Sequence, residues 1–98
     1  MLEIDVDIIR GRVFVNLKGE LNRSTICQFE REVNYLLYKQ GMYYYVFDFK
    51  DVGVVDKRIF DRLKNKIMEI SLSFGKVVVN GLMEDNERIN YSRRYITI

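Results

Sequence analysis

Tyr43-Tyr44-Tyr45-Val46-Phe47-Asp48-Phe49, followed by Lys50-Asp51-Val52-Gly53-Val54-Val55-Asp56, decides how the chain is read. Aromatic and β-branched residues fill both alternating sets of positions in the first seven, so they predict a strand that is apolar on both faces and central in its sheet. Residues 50–55, with Gly53 among them, predict a loop. Asp56 stands where a helix N-cap is expected. Ile59, Phe60, Leu63, Ile67 and Ile70 follow at helical spacing, and Gly75 ends the segment. Lys76-Val77-Val78-Val79-Asn80 reads as another buried strand.

Upstream, Ile26, Phe29, Val33, Leu36 and Leu37 form an earlier helical stripe that stops at Gly41. Thr25 and Gln28 fit a capping box at its start. Before it the chain alternates. Leu2, Ile4, Val6 and Ile8 are apolar between Glu3, Asp5 and Asp7, and Val13, Val15 and Leu17 repeat the pattern after Arg10-Gly11-Arg12. This period of two predicts an antiparallel hairpin. Downstream, residues 84–94 are polar apart from Ile89 and Tyr91 and predict a short helix; Tyr95-Ile96-Thr97-Ile98 predicts a last strand. The expected architecture is a single α/β domain over residues 1–98. Its sheet is mixed, an N-terminal antiparallel hairpin then parallel β-α-β-α-β, with the amphipathic helices packed on it.

Composition narrows the function. Sixteen Lys and Arg against fourteen Asp and Glu leave a net charge of +2 in 98 residues, too balanced for a dedicated nucleic-acid or membrane-surface binder. The chain has no His, which removes the usual acid–base group near neutral pH and the commonest metal ligand. Its single Cys, Cys27, makes no internal disulfide and fits a reducing cytoplasm. Cys27 has no His to activate it and reads as a small packing residue. No apolar run is long enough to span a membrane, and Met1-Leu2-Glu3-Ile4-Asp5 does not read as a signal peptide.

Neither Asp48, Asp51 and Asp56 nor Glu84, Asp85 and Glu87 has the spacing of a calcium loop, so no metal or cofactor is expected. Arg88, Arg93 and Arg94 with Tyr91 and Tyr95 are the one basic–aromatic concentration, offset by the neighbouring acids. Lys57 and Arg58 open the second helix, where the helix dipole is positive and a cation costs roughly 0.3–1 kcal/mol. Asp56 and Asp61 offset part of that cost. A screened surface pair and a site that meets an acidic partner are both consistent with it.

Val13-Phe14-Val15-Asn16-Leu17-Lys18-Gly19-Glu20-Leu21-Asn22, with Thr25 opening a helix, resembles the Gly-Glu-Leu-Asp…Thr stretch of STAS domains. Residues 47–56 resemble the strand and loop that lead to that family's Asp-Ser-Ser-Gly motif, and element order agrees from about residue 2 to 80. Within the family the resemblance is to bacterial anti-sigma factor antagonists of the stage II sporulation protein AA type. It implies a non-enzymatic, cytoplasmic regulator of transcription that binds an anti-sigma factor acting also as a serine kinase. In such antagonists phosphorylation of the first Ser of the motif breaks the complex.

Carried over by position, Asp56 matches the Asp, Lys57 stands at the phosphorylated Ser, and Arg58 and Ile59 replace the second Ser and the Gly. The hydroxyl is lost. A phosphoserine carries about −1.5 to −2 charges, whereas Lys57 carries a positive one. Asn22 replaces the family's Asp. The resemblance places the partner surface at Asn22, Ser24, Asp56, Lys57, Arg58 and Asp61, with Lys57 as the lost phosphorylation site. The alternatives are a scaffolding STAS module outside sigma regulation, weak nucleic-acid binding through residues 88–95, and self-association through residues 2–8 or 95–98.

Overall fold

The computed structural model describes residues 1–84 and 87–89. The alternating N-terminal segment forms β1 (Leu2–Ile9) and β2 (Arg12–Gly19), paired antiparallel in unbroken register from Leu2 opposite Gly19 to Ile9 opposite Arg12. Their two-residue turn has positive φ at both Arg10 (53°) and Gly11 (78°), as a hairpin turn matching the strand twist requires. After α1 (Ile26–Asn34) and a π-helical turn (Tyr35–Lys39) come β3 (Tyr44–Val52), α2 (Lys57–Leu72) and β4 (Lys76–Asn80). The sheet order is β1-β2-β3-β4, with β2, β3 and β4 mutually parallel. β3 is therefore interior, as its two-sided apolar pattern predicts.

One face of the sheet builds the core. Val13, Val15 and Leu17 from β2, Tyr45, Phe47 and Phe49 from β3, and Val77 and Val79 from β4 are all buried. Against them pack Ile26, Phe29 and Val33 of α1 and Ile59, Leu63, Ile67 and Ile70 of α2. Burial of these apolar stripes holds the helices on the sheet. Polar side chains join the two helices to each other. Arg62 pairs with Glu30, and the buried Lys66 donates to Asn34 Oδ1 at 2.7 Å and to Glu69 Oε1 at 3.0 Å. Tyr38 donates its hydroxyl to Glu69; that bond, with Lys66 beside it, holds the Glu69 carboxyl below the usual carboxylate range against the opposing effect of burial.

Four expectations need correction. β3 runs on to Val52 rather than stopping at Phe49, because a register shift between Asn16 and Lys18 lets Asp51 pair with Lys18 and Val52 with Gly19. Thr25 caps nothing with its side chain. Its hydroxyl accepts from Asn22 N at 2.9 Å and donates to Glu20 O at 2.8 Å, while Gln28 donates to Leu2 O. Cys27 is exposed, since Ile26, Phe29 and Val33 take the buried side of α1. In place of a helix after residue 84, β5 (Leu82–Glu84) and β6 (Glu87–Ile89) pair antiparallel. The predicted strand at 95–98 lies outside the described residues, as does the basic–aromatic stretch 88–95 apart from the backbone of Arg88 and Ile89.

Tyr45 is buried, and its hydroxyl has no hydrogen-bond partner among the described residues. Burial, and secondly the charge of Tyr43, push its ionisation well above the ordinary value of 10.0. Folding therefore favours the neutral phenol, so the fold loses stability as pH rises past 10.0, where the unfolded chain sheds the proton first. Tyr45→Phe should raise unfolding free energy by about 1 kcal/mol at neutral pH, since it removes an unsatisfied buried hydroxyl. It should also flatten the alkaline decline. Urea unfolding across pH checks both, and a loss of stability at neutral pH would show that the hydroxyl is satisfied.

Candidate functional site

The loops that follow β2 and β3 leave the sheet side by side. Gly19 pairs with Val52 at the ends of those strands, and Gly53 N donates to Gly19 O at 3.4 Å. Gly19 has φ 112°, and a Cβ there would stand 2.1 Å from Met1 O. Only glycine fits, which gives the Gly-Glu-Leu stretch a physical basis. Beyond it the chain folds into a small polar turn. Asn22 Oδ1 accepts from Ser24 N at 2.9 Å, and Thr25 Oγ1 bonds Asn22 N and Glu20 O. Asn22 and Ser24 are both exposed. Asn22 thus acts as the side chain that builds the turn before α1.

At the end of β3, Val55 is buried and Val54 exposed, and the backbone turns into α2 at Asp56. Asp56 Oδ1 accepts from Ile59 N at 2.9 Å, the N-cap expected of it. Lys57 is the first helical residue and Arg58 the second; both are exposed, and the first turn holds no acid. Lys57 Nζ lies 3.4 Å from Asp61 Oδ2, one turn along the same face, with the lysine side chain 74% accessible. In water such an i,i+4 pair is worth a few tenths of a kcal/mol. The ammonium is thus presented at the positive end of the helix dipole and only loosely held.

Of the six residues expected at the partner surface, Asn22, Ser24 and Asp56 fall on the two loops that leave the C-terminal ends of adjacent parallel strands, and Lys57, Arg58 and Asp61 on the first two turns of α2. In open α/β sheets this is the end where loops are free to diverge and recognition groups gather. Sequence reading missed exposed Val54, an apolar group beside the cations, for which β-branched runs give no in-or-out signal. It also missed Arg62, which reaches Glu30 and lies 3.9 Å from Cys27 Sγ across the helix seam. Among the described residues no three His, Cys, Asp or Glu side chains come together as a metal ion would need, and no helix is long and apolar enough to cross a membrane.

Solved structures with this architecture carry the comparison further. SpoIIAA, an anti-sigma factor antagonist in its unphosphorylated form, superposes with a TM-score of 0.66 at 12% identity, over 87% of this chain and 89% of that one. The chain has the STAS fold. An anti-sigma factor antagonist from Mycobacterium paratuberculosis shares it with a TM-score of 0.67 at 18% identity, over 83% of this chain and 69% of that one. Mglu shares it with a TM-score of 0.70 at 20% identity, over 87% of this chain but 20% of Mglu, so there the STAS fold is one part of a longer chain. No protein-family model matches the chain, and no curated protein matches its sequence.

Proposed function

We propose that this STAS domain is a cytoplasmic, non-enzymatic regulator of the anti-sigma factor antagonist kind. It binds a protein partner, an anti-sigma factor that is also a serine kinase, through the 19–25 loop and the start of α2. Phosphorylation does not release it. The observation that carries the reading is Lys57 as the exposed first residue of α2, on a fold that anti-sigma factor antagonists share.

The mechanism follows from charge. A phosphate added at the start of a helix is welcomed by the helix dipole and repelled by acids on a partner. With an ammonium in that place the dipole is opposed and acids on a partner are attracted. Asp61 screens the free site, and an acidic group on the partner replaces water around Lys57 and Arg58 in the complex. Asp56 is committed to Ile59 N and serves the helix rather than the partner. Exposed Val54 adds an apolar contact next to the cations.

The test incubates the domain with an anti-sigma kinase of its own cell and ATP, then maps phosphate by mass spectrometry. Residues 56–59 should stay unmodified and the complex should survive the incubation. Phosphate mapped on any Ser, Thr or Tyr of the domain, with release of the partner, would refute the reading. The finding that the same fold makes up 20% of Mglu favours a second one, a STAS module that mediates assembly outside sigma regulation. Under it the domain binds no anti-sigma kinase, with or without ATP.

A further inference from the structure

The opposite end of the sheet, where β2, β3 and β4 begin, is basic and apolar. Arg12, Tyr44 and Lys76 stand in one register across the three strands. Two cavities share the Arg10–Gly11 turn. One, of about 350 Å³, is lined by Met42, Tyr43, Phe74 and Lys76 with neighbouring backbone; the other, of about 370 Å³, by Ile9, Arg10, Arg12 and Phe14. Among the described residues, every charged one lining either is a cation.

Phe74 is the unusual member. Gly75 N donates to Ile70 O at 2.9 Å and Phe74 N to Ser71 O at 3.1 Å, so α2 ends in the two-bond motif whose left-handed position glycine normally fills. Here that position is Phe74, with φ 65° and the residue 94% exposed. A bulky residue in that conformation is strained, and an aromatic ring left in water gains nothing from the chain's own packing. Both costs fall on one residue at the mouth of a cavity, beside Tyr43, itself 48% exposed.

We propose that this end is a second docking surface, for a short acidic peptide segment of a protein partner, bearing an aromatic or aliphatic anchor next to Asp or Glu. The anchor packs on Phe74 and Tyr43 in the first cavity, and the carboxylates meet Lys76 and Arg12. Arg12 is held in position over the Tyr44 ring, 5.2 Å from its centroid. Charge complementarity selects a discrete acidic segment over a continuous polyanion. Asp7 stands opposite Phe14, and Asp5 and Glu3 continue along β1 on the same face, so a nucleic-acid backbone or an anionic bilayer laid across the sheet meets acids one rung beyond the cations. The domain then holds two partners at its two ends.

The experiment selects displayed random short peptides on the whole domain and counter-selects on Phe74→Gly. Glycine suits the left-handed position, so this variant keeps its fold, which a thermal melt verifies. Enriched peptides should carry Asp or Glu beside an aromatic or aliphatic residue. By fluorescence anisotropy they should lose about tenfold or more in affinity for Phe74→Gly and for Lys76→Glu. Three results would each overturn the proposal: no enrichment over the counter-selection, enriched peptides without acids, or equal binding to wild type and Phe74→Gly. Tighter binding of oligouridylate or of phosphatidylserine vesicles than of the acidic peptides would overturn it too.

Discussion

Phe47→Ala should cost about 3–5 kcal/mol of unfolding free energy, the range for deleting a buried aromatic side chain and leaving a cavity. Phe47 is fully buried at the middle of the interior strand, and three rings surround it. Phe29 of α1 meets it edge-on with centroids 5.4 Å apart, Tyr45 stacks at 5.5 Å, and Phe49 lies tilted at 6.1 Å. Each such pair adds roughly 0.5–1.5 kcal/mol beyond area burial. A domain of this size is stable by only about 5–15 kcal/mol in total, so the variant should unfold at markedly lower urea concentration and temperature. The consequence reaches function, because β3 delivers the 53–56 loop to its place and Phe29 anchors the helix that follows the 19–25 loop. A loss below about 1 kcal/mol would mean that α1 does not pack on β3 as described.

How much of this the sequence discloses depends on which forces each residue answers to. Leu2 to Leu17 alternate because only one face of the hairpin meets the helices, and the hairpin is legible for that reason. The stripes of α1 and α2 are legible on the same ground, and Asp56 because a cap is a local bond to Ile59 N. Lys50 and Asp51 misled because polar residues at a strand's end look like a loop. Their pairing depends on a register shift in the neighbouring strand, which no local pattern encodes. Thr25 misled because Asn22 and Glu20 claim its hydroxyl first. Residues 84–94 lack either period, so nothing announced the β5–β6 pairing. Phe74 was invisible because aromatic residues carry no signal for a left-handed backbone. The position of Lys57 at the start of α2 was legible, since cap and stripe fix the helix start between them.

Lys57→Glu should weaken partner binding by about 2 kcal/mol or more, roughly a thirtyfold rise in Kd, the scale of losing a charged contact that binding buries. The folded domain itself should hardly notice. Glutamate at the first helical position is favoured by the dipole by about 0.3–1 kcal/mol, while the Lys57–Asp61 pair is lost and a like-charge pair a turn apart costs a similar few tenths. The two effects nearly cancel, so an altered affinity reports on docking and not on unfolding. A screened rim charge would behave differently, shifting Kd only as far as the association rate changes, and less at high salt.

The most direct measurement is a calorimetric titration of the anti-sigma kinase into wild type, Lys57→Glu and Lys39→Glu, the last reversing an exposed charge on the π-helical turn after α1. Wild type and Lys39→Glu should bind alike and Lys57→Glu about thirtyfold more weakly. One dissociation constant shared by all three variants would contradict docking at the start of α2.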